Sequence, residues 1–417
     1  MKKFIILFLF FILTLTTIFG YSSNGYISKY LIYKNSEILK DYFNNNDKFD
    51  YMEKILIANG ITTKKTMTAY KKEINKIYSE VSTNFNDGNK IKLARYIFDY
   101  LHRNYLKEYK NHAYNLKHIF VNEQYNCVSS TILYNLILHK FDYNPKMVLT
   151  RDHTYTILNI NNKEIFIENT TKNGFNYVNN PNLTNKEEIL EKIEGTKKIL
   201  STDNEIITAI FSNSIYYIKN YRKAFQYSLL ALAHDRNALE DYHNIKAAFS
   251  NYIGYISKHK AYKRAYNIMT EAVKNTGKTD FILNNYKLTL NNYILKLINI
   301  SKFDIVLDIL EKSQNLINDK NFLNDKYFIY YTKHGIYIYQ KKDYKNSIKL
   351  FKKAYEIKPE DKAAINNLQA AFIMASQKNI EQNNFQKAYG YAKRGLKYFP
   401  ENKPLIDLKT YSKNNMK

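Results

Sequence analysis

Residues 125–141 read YNCVSSTILYNLILHKF, residues 146–160 read KMVLTRDHTYTILNI, and residues 164–171 read EIFIENTT. The first segment contains the only cysteine of the chain, Cys127, followed by apolar residues at helical spacing. The other two segments alternate like strands, and Asn161-Asn162 between them suits a tight turn. Together they predict a helix that begins at Cys127 and a β-hairpin that carries His153 and Glu168.

Cys127, His153 and Glu168 follow one another in the order of a nucleophile, a base and a group that orients the base. Unpaired N–H groups at a helix start favour an anion, and therefore a thiolate. An imidazole on a nearby strand can take up and return protons, while a third side chain holds the ring. The three residues predict thiol-dependent acyl transfer. The alternative interpretation is that Cys127 is a small buried hydrophobe and His153 an ordinary strand residue.

The hairpin register decides which residue orients the imidazole, because a slip of one residue exchanges the two faces of a strand. If Asn161-Asn162 is a two-residue loop, Glu168 shares the face of His153. A three-residue loop presents Asn169 instead. We favour Glu168, because asparagines tolerate the positive φ values of a tight hairpin turn.

Three short motifs resemble those of the transglutaminase-like superfamily: Asn126-Cys127, Arg151-Asp152-His153 and Ile167-Glu168-Asn169-Thr170. The resemblance implies a papain-like α+β domain in which Cys127, His153 and Glu168 act on a peptide or isopeptide amide without a cofactor. It covers roughly residues 93–177. It departs from the family where Glu168-Asn169-Thr170 replaces the common Asp-Pro-Thr, and in its short Cys–His interval.

Other polar residues near Cys127 are weaker candidates for a role. Gln124 could donate a hydrogen bond to an oxyanion, but we expect it to face solvent and consider the backbone N–H of Cys127 the better donor. His102, His112 and His118 match no metal-binding spacing, and we expect them on the surface. The sequence therefore predicts no metal site.

From about residue 200 the chain repeats every 41 residues. The leading aromatic residues of the five units are Tyr221, Tyr262, Phe303, Tyr344 and Phe385. Small or β-branched residues follow three positions later: Ala224, Ala265, Val306, Ser347 and Ala388. Small residues follow ten positions later: Ala231, Ala272, Ser313, Ala354 and Gly395. Large residues recur between the units: Phe249, Leu290, Tyr331 and Phe372. These columns predict pairs of closely packed helices.

This repeat resembles the tetratricopeptide repeat (TPR). The residues at that family's consensus spacing are Gly335, Phe351, Ala354 and Pro359. Ile338 and Ser347 depart from the consensus. The family period is 34 residues, so we assign the seven extra residues, about two helical turns, to a longer first helix in each pair. The resemblance implies an all-α solenoid whose concave face binds a protein or peptide.

The charge of the chain suggests an anionic partner. Its 417 residues include 63 Lys and Arg against 38 Asp and Glu, which gives a net charge of +25. The charge is spread along the chain and no nucleic-acid-binding module is recognisable, so an anionic cell-envelope polymer is a better candidate than nucleic acid. A generally basic proteome would explain the charge equally well.

Residues 1–20 read MKKFIILFLFFILTLTTIFG, in which two lysines precede an apolar run. This is the pattern of a secretory signal peptide. The alternative is an uncleaved N-terminal anchor, since the run approaches the length that spans a bilayer. We therefore expect export to the periplasm, the cell envelope or the medium, with membrane contact only if the segment stays uncleaved.

The sequence thus predicts four parts. They are a signal peptide or anchor at 1–20, a helical region at 21–90, a transglutaminase-like domain at 91–200, and five TPR-like repeats at 201–417. Within them we expect helices at 62–81 and 90–109. Two functions are compatible with this organisation: an exported thiol enzyme joined to a binding scaffold, and an inactive transglutaminase-like fold that serves as an interaction protein.

Export can be tested by the intact mass of protein isolated from the native cell. Because signal peptides are removed during secretion, we expect a mature chain lacking about 20 residues. A full-length product in the cytoplasm would contradict this expectation.

Overall fold

A computed structural model describes residues 36–150, 153–179, 198–235, 237–275 and 278–416. The predicted export segment, Arg151 and Asp152 lie outside these residues. Within the described ranges, no helix is both long enough and apolar enough to cross a membrane. The chain divides into two compact units, the first ending at Lys258 and the second beginning at His259. The domain boundaries at residues 91 and 201 stay predictions.

The first unit is built around the helix that begins at Cys127. The helices up to that point are α1 (Glu37–Asn44), α2 (Tyr51–Ala58), α3 (Lys64–Asn84), α4 (Lys90–Asn104), α5 (Leu116–Asn122) and α6 (Cys127–Lys140). Helices α3, α4 and α5 all contact α6. As a result, nearly every α6 residue from Cys127 to Leu138 is buried.

Helix α4 is shorter than the sequence pattern predicts, and the prediction of a helix to residue 109 is wrong. It ends at Asn104, and Glu108–Tyr109 form strand β1. This strand pairs in parallel with β2 (Gln124–Tyr125), directly before the cysteine helix. A pairing between segments 16 residues apart therefore overrides the helical periodicity of residues 105–109.

Helix α6 packs against a four-stranded antiparallel sheet. Its strands are β3 (Lys146–Leu149), β4 (Thr154–Ile160), β5 (Lys163–Ile167) and β6 (Lys198–Leu200), in the spatial order β5-β4-β3-β6. Helix α6 contacts β3 and β4. On β4, Thr154 and Thr156 bond to residues of α6. Tyr155 and Ile157 point to the opposite face, as alternation along a strand requires, and pack there with Val148.

The turn between β4 and β5 has the two-residue form that the sequence favours. Ile160 is paired with Lys163, and Asn161 and Asn162 have φ values of 52° and 59°. Two consecutive positive φ values are typical of a type I′ turn, whose twist matches that of paired strands. The predicted hairpin register is therefore confirmed.

The first unit continues with four helices after the sheet: α7 (Asp203–Tyr217), α8 (Tyr221–His234), α9 (Ala238–Asp241) and α10 (His243–Lys258). Helices α7, α8 and α10 pack on one another, and α2 packs on α7. Two hydrogen bonds, one buried and one partly buried, connect this group to the N-terminal helices. Ser214 donates to the carbonyl of Ala58 over 2.9 Å, and the Tyr42 hydroxyl contacts Nε2 of His234 over 2.5 Å.

The second unit contains eight helices in its described residues: α11 (Tyr262–Asn275), α12 (Asp280–Asn299), α13 (Phe303–Gln314), α14 (Lys320–Gln340), α15 (Tyr344–Ile357), α16 (Lys362–Glu381), α17 (Phe385–Gly395) and α18 (Lys403–Asn414). Each packs on the next in sequence, and α14, α16 and α18 also contact one another in succession. This is the packing of a helical repeat.

The five leading aromatic residues of the sequence repeat are each the first residue of a helix, namely α8, α11, α13, α15 and α17. Both columns of small residues that follow them are buried. The preceding helices α12, α14 and α16 have 20, 21 and 20 residues, against 12, 14 and 11 for α13, α15 and α17. The predicted helical pairs, with a longer first helix in these units, are therefore confirmed.

Close helix packing in the second unit requires Gly335. A Cβ at this position on α14 would come within 2.6 Å of the Phe351 ring on α15. Phe351 is buried among neighbouring helices and has little room to move. Gly390 on α17 offers a contrast, because a Cβ there would meet no atom within 4 Å.

Gly335→Ala should lower the free energy of unfolding of the second unit by about 1–3 kcal/mol, as overpacking in a buried contact typically does. The matched control, Gly390→Ala, should raise it by up to about 1 kcal/mol, because alanine is the better helix former. Urea denaturation followed by circular dichroism measures both changes. Equal effects of the two substitutions would show that the α14–α15 approach is not limiting.

Candidate active site

The start of helix α6 is fixed by Asn126, the residue before the cysteine. Its side-chain oxygen accepts hydrogen bonds from the N–H groups of Val128 and Ser129, at 3.0 and 3.1 Å. The Ser129 hydroxyl accepts in return from the Asn126 N–H over 3.0 Å, which completes a capping box. Cys127 is thus held as the first helical residue, and the cap does not occupy its own N–H.

Cys127, His153 and Glu168 lie together at this helix start. Nε2 of His153 is 2.6 Å from a carboxylate oxygen of Glu168, and the thiol of Cys127 lies next to the imidazole. Because Glu168 occupies Nε2, Nδ1 is the ring nitrogen that remains for the thiol. Cys127 is 8% exposed. The structure therefore brings together the three residues that the sequence singles out.

The second carboxylate oxygen of Glu168 is held by Thr170. Both the backbone N–H and the hydroxyl of Thr170 donate to it, over 2.9 and 2.6 Å. The chain then folds back so that Gly174 accepts a backbone hydrogen bond from Glu168 over 2.9 Å. A Cβ on Gly174 would overlap the Glu168 carbonyl. Both oxygens of Glu168 are thus anchored before any substrate binds.

The charges of this cluster support one another. Burial disfavours the imidazolium of His153, but the neighbouring Cys127 and Glu168 outweigh it and raise the pKa of His153 to about 10. Burial likewise disfavours the Glu168 carboxylate, yet His153 and Thr170 lower the pKa of Glu168 below its usual value. At neutral pH the cluster therefore favours an imidazolium paired with a carboxylate.

Asn169, the alternative third residue, points away from the imidazole. It is 1% exposed, and its amide donates to the hydroxyls of Thr131 and Thr156 over 3.1 and 3.0 Å. Thr156 in turn donates to the side-chain oxygen of Asn135 on α6 over 2.6 Å. Asn169 therefore fastens the hairpin to the cysteine helix.

One expectation about the neighbouring residues requires correction. His102 is 3% exposed and not a surface residue, because it follows Phe98 by one helical turn on the buried face of α4 and packs against that ring. Gln124 is half-buried, and its amide donates to the Glu108 carboxylate over 2.9 Å. Among the described residues, no group of three or more His, Cys, Asp or Glu side chains could hold a metal ion.

Sequence reasoning missed two tyrosines beside the thiol. Tyr109 lies on β1 and Tyr217 is the last residue of α7. Burial raises the pKa of both phenols, and the charge of Cys127 raises it further. No local pattern distinguishes these residues from the other tyrosines of the chain. Thr170 did carry a signal, since it closes the third sequence motif two positions after Glu168.

The chain matches no family model and no curated protein. Among solved structures, it is similar to the crystal structure of menin, described as revealing the binding site for the Mixed Lineage Leukemia (MLL) protein. The TM-score is 0.35 at 11% identity, over 88% of this chain and 84% of that one. It is also similar to YrrB, described as a TPR protein with an unusual peptide-binding site. That TM-score is 0.21 at 16% identity, over 49% of this chain and 91% of that one.

The contact between His153 and Glu168 predicts a pH-dependent difference between the wild type and Glu168→Gln. NMR titration should give a pKa for His153 well above 6.5 in the wild type and a lower value in Glu168→Gln. Because the folded-state pKa is raised, the ion pair stabilises the fold fully below about pH 6.5 and loses this effect as pH rises through about 10. The stability advantage of the wild type should therefore be full at pH 6, decline between about pH 6.5 and 10, and be absent above about pH 10.

Glu164→Gln is the matched control, since Glu164 is an exposed carboxylate on the same hairpin. It should leave the His153 titration unchanged. An equal response to the two substitutions would mean that general charge, and not the hydrogen bond that Glu168 accepts from His153, holds the proton on the imidazole.

Proposed function

We propose that this protein is an exported thiol enzyme of the transglutaminase-like type, joined to TPR-like helical repeats that bind a protein or peptide. Its reaction would be hydrolysis of a peptide or isopeptide amide, or transfer of the acyl group to an amine. The observation that carries the proposal is the linked arrangement of Cys127, His153 and Glu168 at a capped helix start.

The arrangement supports a specific sequence of proton movements. The Cys127 thiolate attacks the amide carbonyl carbon, and the imidazolium of His153 gives its proton to the departing amine as the C–N bond breaks. The product is a thioester on Cys127. Acylation removes the thiolate charge, one of the two groups that hold the proton on His153, so the ring becomes available as a base. It then takes a proton from the attacking water or amine, and the thiolate leaves.

Glu168 has a positioning role in this proposal. Its anchored carboxylate keeps Nε2 occupied and Nδ1 directed to the sulfur. The tetrahedral intermediate carries an oxyanion, for which the N–H of Cys127 at the first position of α6 is a suitable donor. Glu108 engages the amide of Gln124, which makes that side chain the weaker candidate.

The local fold supports the family assignment. A cysteine at the start of a central helix faces an antiparallel sheet that carries the histidine and the acidic residue, as the three sequence motifs imply. Glutamate in place of the usual aspartate adds one methylene, and Glu168 still reaches His153. For the repeats, the contact of Gly335 with Phe351 supports a TPR-like helical pair.

Alkylation of Cys127 by iodoacetamide at pH 6 tests the proposal. Because this is the only cysteine, intact mass reports its reaction alone. A free thiol with a pKa of about 8.5 is almost fully protonated at pH 6. A thiolate paired with His153 should react about tenfold faster than the same thiol in the urea-unfolded chain, after allowance for its limited exposure and lower nucleophilicity.

His153→Ala should remove most of this advantage, and Glu168→Gln should remove a smaller part. His139→Ala is the matched control, because His139 lies in the last turn of the same helix and is exposed. It should leave the rate unchanged. If the folded wild type reacts no faster than the unfolded chain, and His153→Ala has no effect, the enzyme proposal is wrong. The alternative is then an inactive fold that serves as an interaction protein.

A further inference from the structure

Two partly exposed tyrosine rings stand beside Cys127 and come from different parts of the first unit. Tyr109 is 46% exposed and lies on β1, which is paired with the strand that leads into the cysteine helix. Tyr217 is half-buried at the end of α7, beyond the sheet. Tyr109 is paired with Tyr125, two residues before Cys127, so its position on β1 places it next to the start of the cysteine helix.

Tyr217 is positioned by the same backbone carbonyl that positions the cysteine helix. The carbonyl of Asn111 accepts a hydrogen bond from the amide of Asn126 over 3.0 Å and another from the hydroxyl of Tyr217 over 3.3 Å. Asn126 is the cap residue immediately before Cys127. Two hydrogen bonds to one carbonyl therefore link Tyr217 to the residue that caps the cysteine helix.

Both rings are held by other aromatic side chains. Tyr217 stacks on Tyr114 at a centroid distance of 3.9 Å and an interplanar angle of 2°. Tyr109 packs at 89° against Tyr125 over 5.8 Å. Tyrosine rings held in this way offer contact area at a low cost in conformational entropy.

Among the described residues, the charged side chains on either side of Tyr109 pair with each other. The ammonium of Lys110 is 2.5 Å from the carboxylate of Glu108, which also accepts from Gln124. Glu108 is thereby compensated, and what Tyr109 and Tyr217 present beside the thiol is aromatic ring surface. Such a surface suits an aromatic or large apolar side chain better than a charged one.

We propose that Tyr109 and Tyr217 form the binding site for an aromatic or large apolar side chain of a peptide substrate, adjacent to the bond that Cys127 attacks. The inference rests on the proposed function and specifies its substrate class. It also makes α7, a helix beyond the sheet, part of the substrate site.

Peptidyl chloromethyl ketones test this site, because the thiolate displaces chloride and forms a stable S–CH2 bond without any other reactant. We compare acetyl-phenylalanyl, acetyl-alanyl and acetyl-glutamyl reagents and follow the modification of Cys127 by intact mass. Contact with two aromatic rings is worth about 1.4 kcal/mol, which corresponds to about a tenfold faster reaction of the phenylalanyl reagent than of the alanyl one. The glutamyl reagent should be no faster than the alanyl one.

Tyr109→Ala and Tyr217→Ala should each reduce the phenylalanyl preference to about threefold or less. Tyr217→Phe keeps the ring and loses only the hydrogen bond to Asn111, so it should retain part of the preference even if Tyr217→Ala disturbs folding. Tyr221→Ala is the matched control, since Tyr221 is 50% exposed at the start of α8. It should leave the preference intact.

The iodoacetamide rate separates this inference from the proposed function. If iodoacetamide reacts fast but the three ketones do not differ, or the tyrosine variants keep the preference, the inference is wrong and the thiol enzyme stands. If iodoacetamide also reacts slowly, the proposed function itself is wrong. Stronger protection of Cys127 by an oligosaccharide of N-acetylglucosamine than by acetyl-phenylalanine amide would overturn the peptide assignment in favour of a glycan.

Discussion

The two-residue turn at Asn161-Asn162 is the constraint on which the site geometry depends. It pairs Ile160 with Lys163, and this register determines which face of β5 each later residue occupies. Glu168 consequently lies against the imidazole of His153, while Asn169 points into the interior. A slip of one residue would reverse these positions, burying a carboxylate and leaving the imidazole without its partner.

Hydrogen bonds on the interior side of the hairpin stabilise the position of the other side, which carries His153 and Glu168. Asn169, Thr156 and Thr131 connect the two strands to α6 through short hydrogen bonds among buried groups. Because unsatisfied polar groups are costly in such surroundings, this network favours a single alignment of sheet and helix. Because these hydrogen bonds hold the sheet against α6, they also restrain the distance between the thiol on α6 and the imidazole on the sheet.

The helices after the sheet also belong to this arrangement. Helix α7 packs on α2, and its last residue, Tyr217, reaches the loop that caps the cysteine helix. A helix that follows the sheet in sequence is thus part of the thiol environment in the folded unit. Close packing is also visible in the second unit, where the absence of a Cβ at Gly335 leaves room for the ring of Phe351.

The sequence by itself determined the features that local patterns encode. They are the helix start at Cys127, the two strands, the turn with its register, and the helix starts at every 41st residue. Local periodicity reveals which face of an element is apolar and where it begins, but not what covers that face. Only the tertiary structure decided that β1 pairs with β2 and so ends α4 at Asn104, that His102 is buried, and that Tyr217 lies near Cys127. Each of these depends on contacts between segments distant in sequence, whose free energy outweighs local propensity.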